Sequence, residues 1–125
     1  MENAIDILRN AWKHRDGAIV LTTVDGRGQA NSIYATCSEM TTDGRIVVAD
    51  NYFDKTRANI LGGSTAVVLF ITDEGTSYQV KGRISYETSG DNFDFMKSWN
   101  PVKHPGHAAT VISVEELYSG SKKLL

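Results

Sequence analysis

Cysteine is nearly absent. Cys37 stands alone among 125 residues, so no intrachain disulfide can form, which fits a reducing compartment. No apolar run approaches the roughly 18–20 residues of a membrane span. The N-terminal stretch MENAIDILRNAWKHRDG is amphipathic and carries acids, without the apolar core of a signal peptide. A cytoplasmic protein without membrane attachment is therefore expected. Excess positive charge is missing too: 13 Lys and Arg stand against 15 Asp and Glu, for a net charge of −2. That balance argues against a nucleic-acid module, which needs a basic stripe. Both prolines fall within 101–105, and no repeat, linker or low-complexity tract interrupts the chain. One domain over residues 1–125 is expected.

Catalytic signatures are scarce as well. His14, His104 and His107 follow no metal-binding spacing and no Cys or acid cluster supports them, so no metal site is expected. Cys37 lacks a CxxC partner and reads as a half-buried strand thiol. No GxSxG or P-loop pattern occurs. No carboxylate pair stands in an apolar setting, and no catalytic residue can be named. Trp12, Trp99 and the pair Phe93/Phe95 read first as core.

What is present is a chain of 41% hydrophobic and 22% charged residues, globular values with enough apolar content to need no staples. Helical spacing of Ile5, Leu8 and Trp12 predicts a first helix over 2–14. β-branched and apolar runs predict strands over 18–24, 29–40, 46–50, 64–72, 77–88 and 108–114. Turns at 25–28, 41–45 and 73–76 join them as hairpins. Gly82 marks a bulge or a bend of a barrel wall. Further helices are expected over 54–61, stopped by Gly62-Gly63, and over 91–99. After 114, Glu115-Glu116-Leu117-Tyr118 is expected to lead into a polar tail. Six mostly antiparallel strands with three helices predict a mainly β fold, a small closed or partly open barrel.

The stretch 44–63, GRIVVADNYFDKTRANILGG, is where chemistry concentrates. Its helix opens with Asp54, Lys55, Thr56 and Arg57. Cations in a first helical turn face positive partial charge and are mildly unfavourable. Two readings account for them. An anion bound there would turn hydroxyl, lysine and free amides into ligands. Alternatively, Asp54 caps the helix and both cations are solvated surface. Asp50, ending an apolar strand just before, either begins a turn with Asn51 or belongs to the site.

The order of elements, with RIVVAD, DKTRANI, QVKG, an aromatic helix and a final VEELYS in register, resembles the FMN-binding split-barrel family of pyridoxamine 5'-phosphate oxidase-like proteins, over about residues 4–120. The resemblance implies a six-stranded split barrel binding FMN, a homodimer with FMN at the interface, and electron transfer or a flavin-dependent oxidoreductase. By position it implies Asn31, Ser32 and Ile33 on the strand lining phosphate and ring. It implies Val48, Ala49 and Asp50 on the strand edge whose backbone faces the isoalloxazine. Lys55 and Thr56 match the pair that grips the phosphate, and Asn59 lies one turn on. Gln79, Lys81 and Trp99 match contacts from the second subunit. Arg57 falls outside the matched motif and is expected at the surface. No arginine follows Arg83, so the arginine-bearing C-terminal segment of a true pyridoxamine 5'-phosphate oxidase is missing, which speaks against that substrate. The alternative is a module of the same fold holding another ligand, such as haem, a deazaflavin or a nucleotide.

Overall fold

The structure is a computed structural model and describes residues 3–125. Asn3 caps the first helix, α1 (Ala4–Lys13), by accepting from the Asp6 amide. Glu2, expected within this helix, lies outside the described residues. The strands follow as β1 (Ile19–Val24), β2 (Ala30–Ala35), β3 (Ser38–Met40) and β4 (Ile46–Asp50), then helix α2 (Lys55–Leu61). After it come β5 (Ala66–Ile71), β6 (Ser77–Gly82), β7 (Ile84–Glu87), helix α3 (Asp91–Trp99), β8 (Ala108–Ile112), β9 (Glu116–Ser119) and β10 (Lys122–Lys123).

All pairings are antiparallel. They make a six-stranded sheet, β10-β9-β6-β5-β1-β2, and a four-stranded sheet, β3-β4-β8-β7. The mainly β, barrel-like split fold is thus as expected. The strand count of six is corrected to ten among the described residues, for two reasons. The stretches 29–40 and 77–88 each leave one sheet and enter the other, so each is two strands. The first breaks at Thr36-Cys37. The second breaks at buried Gly82, where an added Cβ would lie 1.6 Å from the Ser113 carbonyl oxygen. Only glycine admits that approach, so the chain bends there against the other sheet. The expected polar tail is instead β9 and β10, because Leu117 is fully buried in the barrel.

Leu8, Trp12, Leu21, Ile46, Val48, Val68, Val80 and Ile112 fill the space between the sheets, each worth on the order of 1.5–3 kcal/mol by burial. Trp12 is core as expected, edge-on to Phe70 at 5.3 Å. The other face of the four-stranded sheet presents Val47, Ala49, Ala109 and Val111 to Met96 of α3, with Trp99 and Cys37 packed alongside.

Candidate functional site

β2 is an edge strand of the six-stranded sheet. α2 sits against β1 and β2. Along β2 the residues alternate: Asn31, Ile33 and Ala35 turn inward, while Ala30, Ser32 and Tyr34 are exposed. Two hollows line this inward side. One, about 250 Å³, is bordered by Asn31, Lys55, Ala58, Asn59 and Asp25. The other, about 200 Å³, is bordered by Ile33, Ala35, Cys37, Ala49, Tyr52 and Phe53. At about 3.3 Å per residue, Asn31 and Ala35 lie about 13 Å apart along the strand. The groove is therefore bipartite, with a lysine and amides at one end and apolar walls at the other.

The polar end is built from interlocked side chains. Asn31 Nδ2 donates to Thr56 Oγ1 at 3.2 Å, and Asn59 Nδ2 donates to Thr23 Oγ1 at 3.1 Å. Thr23, Thr56 and Asn59 are buried. Lys55 is exposed and forms no ion pair among the described residues. Asp25 brings a carboxylate to the same hollow, but its Oδ1 already accepts from the amides of Arg27 and Gln29, at 2.8 and 2.9 Å. At the apolar end, Tyr52 Oη meets His104 Nδ1 at 3.1 Å. Asn51 pairs reciprocally with Asn100 at 2.9 and 3.0 Å and accepts from the Gly106 amide, which pins the loop 100–107.

Between the two ends stands Asp50, 0% exposed. Its Oδ2 accepts from Arg57 Nε at 2.7 Å and from the Tyr86 hydroxyl. Its Oδ1 accepts from Arg57 Nη2 at 2.9 Å and from the Phe53 amide at 3.1 Å. Its carbonyl accepts from the His107 amide at 2.8 Å. A buried carboxylate needs this degree of pairing to stay charged. Burial, and then the hydrogen bond to Asp50, push the Tyr86 hydroxyl above its ordinary pKa. Hydrogen bonding to Asp50 raises that of Arg57.

The predicted site residues therefore fall into three places. Asn31, Ile33, Lys55, Thr56 and Asn59 come together on the groove. Ser32, Gln79 and Lys81 share the outer face of the six-stranded sheet, since pairing carries Ser32 to Thr22, Val67 and Lys81, and Tyr34 to Val20, Leu69 and Gln79. Val48, Ala49, Asp50 and Trp99 belong to the four-stranded sheet and the packing behind it. β4 pairs with β8 along its length and with β3 as far as Val48, and the Ala49 amide donates to the Cys37 carbonyl at 3.0 Å. Two expectations change. Arg57 is the partner of Asp50, not free surface. Asp54 holds the cap position of α2 without a side-chain cap bond. Sequence reasoning also missed Tyr86 and Thr23, whose partners are distant in the chain and leave no local signal.

The sequence pattern of the pyridoxamine 5'-phosphate oxidase family matches residues 8–119. The chain belongs to this family. HupZ of Group A Streptococcus is similar in structure, with TM-score 0.81 and 20% identity over 95% of this chain and 96% of that one. An FMN-binding protein of Syntrophomonas wolfei has TM-score 0.77 and 24% identity over 90% and 83%. A pyridoxamine 5'-phosphate oxidase-related, FMN-binding protein of Nostoc punctiforme has TM-score 0.63 and 9% identity over 85% and 76%. At these identities the likeness is one of fold. No curated protein sequence matches the chain. Among the described residues no helix is long and apolar enough to cross a membrane, and no group of three or more His, Cys, Asp or Glu gathers as for a metal.

Proposed function

We propose that this family member binds FMN in the groove along β2 and acts as a flavoprotein in electron transfer or as a flavin-dependent oxidoreductase. One observation carries the reading: the inward residues of β2 join a hollow holding an unpaired lysine to a hollow with apolar walls. FMN has the same division, a dianionic phosphate at one end and a flat ring at the other. Lys55 would hold the phosphate as a point charge, beside the Asn31 amide and the Thr56 hydroxyl. Ile33, Ala35 and Phe53 would flank the ring, with the side chains of Asn51 and Tyr52 nearby as polar groups. When bound, FMN supplies the redox chemistry, and the protein supplies binding, orientation and water exclusion.

Each hollow alone is smaller than the several hundred Å³ of an ordinary cofactor site. A second chain would complete it. We extend the proposal to a homodimer formed through the outer face of the six-stranded sheet. That face holds Val20, Tyr34, Leu69 and Ile71 around an apolar hollow of about 400 Å³, with Tyr34 80% exposed. Gln79 and Lys81 on the same face would then reach the partner's cofactor. The test is one preparation examined twice, by absorbance with added FMN and by light scattering for mass. Flavin uptake at twice the chain mass is expected. A protein that leaves the FMN spectrum and fluorescence unchanged overturns the reading, and uptake of haem, a deazaflavin or a nucleotide instead would favour the other-ligand alternative.

A further inference from the structure

We infer that the Asp50–Arg57 pair is the positioning element of this groove, setting the distance between its cationic end and its apolar end. The inference rests on the FMN reading above.

α2 has seven residues, too few to be stable alone, and Asp54 gives it no side-chain cap. Its place is therefore set by what its side chains hold. Thr56 and Asn59 tie it to Asn31 of β2 and Thr23 of β1, both in the six-stranded sheet. Arg57 alone, among the side-chain hydrogen bonds of the described residues on α2, reaches the other sheet, through Asp50 of β4. Tyr86 of β7 joins the same carboxylate. Lys55 and Arg57 are two residues apart, about 200° around a helix, so one faces the groove while the other faces Asp50.

The two ends of the groove draw on the sheets differently: β2 runs through both, and only the apolar end also takes in the four-stranded sheet, at Ala49 of β4. The lysine end is α2 with β2. The apolar end includes Phe53, whose amide is held by Asp50 Oδ1. A ligand spanning both ends must match the spacing between sheets, and the one carboxylate bonds to both parts. The guanidinium grips it with two parallel hydrogen bonds at 2.7 and 2.9 Å. Such a fork fixes orientation as well as distance, which a lysine ammonium cannot do.

The test compares FMN with riboflavin, which shares the ring and lacks the phosphate. The wild type and Arg57→Lys are measured by flavin fluorescence titration, and α2 amide exchange is followed without flavin. In Arg57→Lys the charge stays and the fork is lost, so FMN's affinity advantage over riboflavin should fall about tenfold with faster exchange in residues 55–61. Riboflavin affinity should hold within about twofold, because the ring end keeps its walls. If Arg57→Lys does not fold, the double variant Asp50→Asn, Arg57→Gln keeps a neutral hydrogen-bonded pair and carries the same comparison. An unchanged FMN-to-riboflavin ratio in a folded variant overturns the positioning role while leaving the site. Equal weakening of both flavins also overturns it, showing a merely structural pair. A wild type that binds neither flavin overturns the site reading, and this role with it.

Discussion

Helix α2 meets the protein differently on its two sides. Toward β4 and β7, Arg57 is spent on Asp50, whose oxygens also accept from Tyr86 and Phe53. Toward β2, Lys55 projects into the groove with no acid partner among the described residues, although Asp25 borders the same hollow. Both cations stand in the first turn of one short helix, where each is mildly unfavourable by the helix dipole. On one side a buried carboxylate answers the charge. On the other no described residue does. The contrast separates a cation that holds the fold from one left available to an anion, and single substitutions can test each side.

Asp50→Ala should have the largest effect. It leaves the partly buried Arg57, the Tyr86 hydroxyl and the Phe53 amide without their acceptor. Removing one partner of a buried pair costs about 3–5 kcal/mol. Because the Arg57 side chain is 34% exposed, about 3 kcal/mol is expected, read as a urea midpoint shift and a melting point lower by roughly 10 °C. An unchanged melt would erase the distinction between the two sides.

How much of this was legible in the sequence follows from chain distance. The β-branched content of β1, the apolar run of β5 and the Gly82 bend are local features, and the sequence carries them. The hairpin turns and the helix at 54–61 were legible for the same reason. The switches of sheet at Thr36-Cys37 and Gly82 were not, because a strand that changes sheets keeps its β character throughout. That conceals β3. The tail of the chain was misread because short polar strands resemble loops and only Leu117 carries a burial signal. Asn31, Lys55, Thr56 and Asn59 meet at the groove; helix-start chemistry points to Lys55 and Thr56, and the family resemblance adds Asn31 and Asn59. Arg57 was visible seven residues after Asp50, yet strand-to-helix spacing has no fixed geometry that would pair them. Tyr86, 36 residues further from Asp50, left no trace at all.

Tyr86→Phe sharpens the anchored side with a smaller effect. It removes one hydrogen bond to a charged acceptor and leaves the Arg57 fork, so about 1–2 kcal/mol is expected at neutral pH. The pH dependence gives a more specific signature. The folded-state pKa of Tyr86 is raised above an ordinary value of about 10. Its contribution is then fully present below about pH 10 and is lost as pH rises through the folded value. Wild-type stability should therefore fall more steeply than that of Tyr86→Phe between neutrality and strong alkali. Parallel profiles in denaturant melts would remove Tyr86 from the network. Tyr118 also has a raised pKa, through its hydrogen bond to Glu116, but it is common to both proteins and cancels in the comparison.

Lys55→Ala tests the open side and should change stability least. An exposed cation without a partner can be truncated within about 0.5 kcal/mol, and the helix dipole does not penalise its removal from the first turn. Its cost should appear only with ligand. A charge-assisted contact to phosphate, lost in a partly solvated groove, corresponds to about tenfold weaker FMN binding, or about 1.4 kcal/mol. Riboflavin binding should be unaffected, and the wild-type preference for FMN should shrink with added salt as the lysine is screened. A Lys55→Ala protein that melts like the wild type but binds FMN equally well would move the phosphate off this helix. One that loses stability as Asp50→Ala does would show that the two sides of α2 were never different.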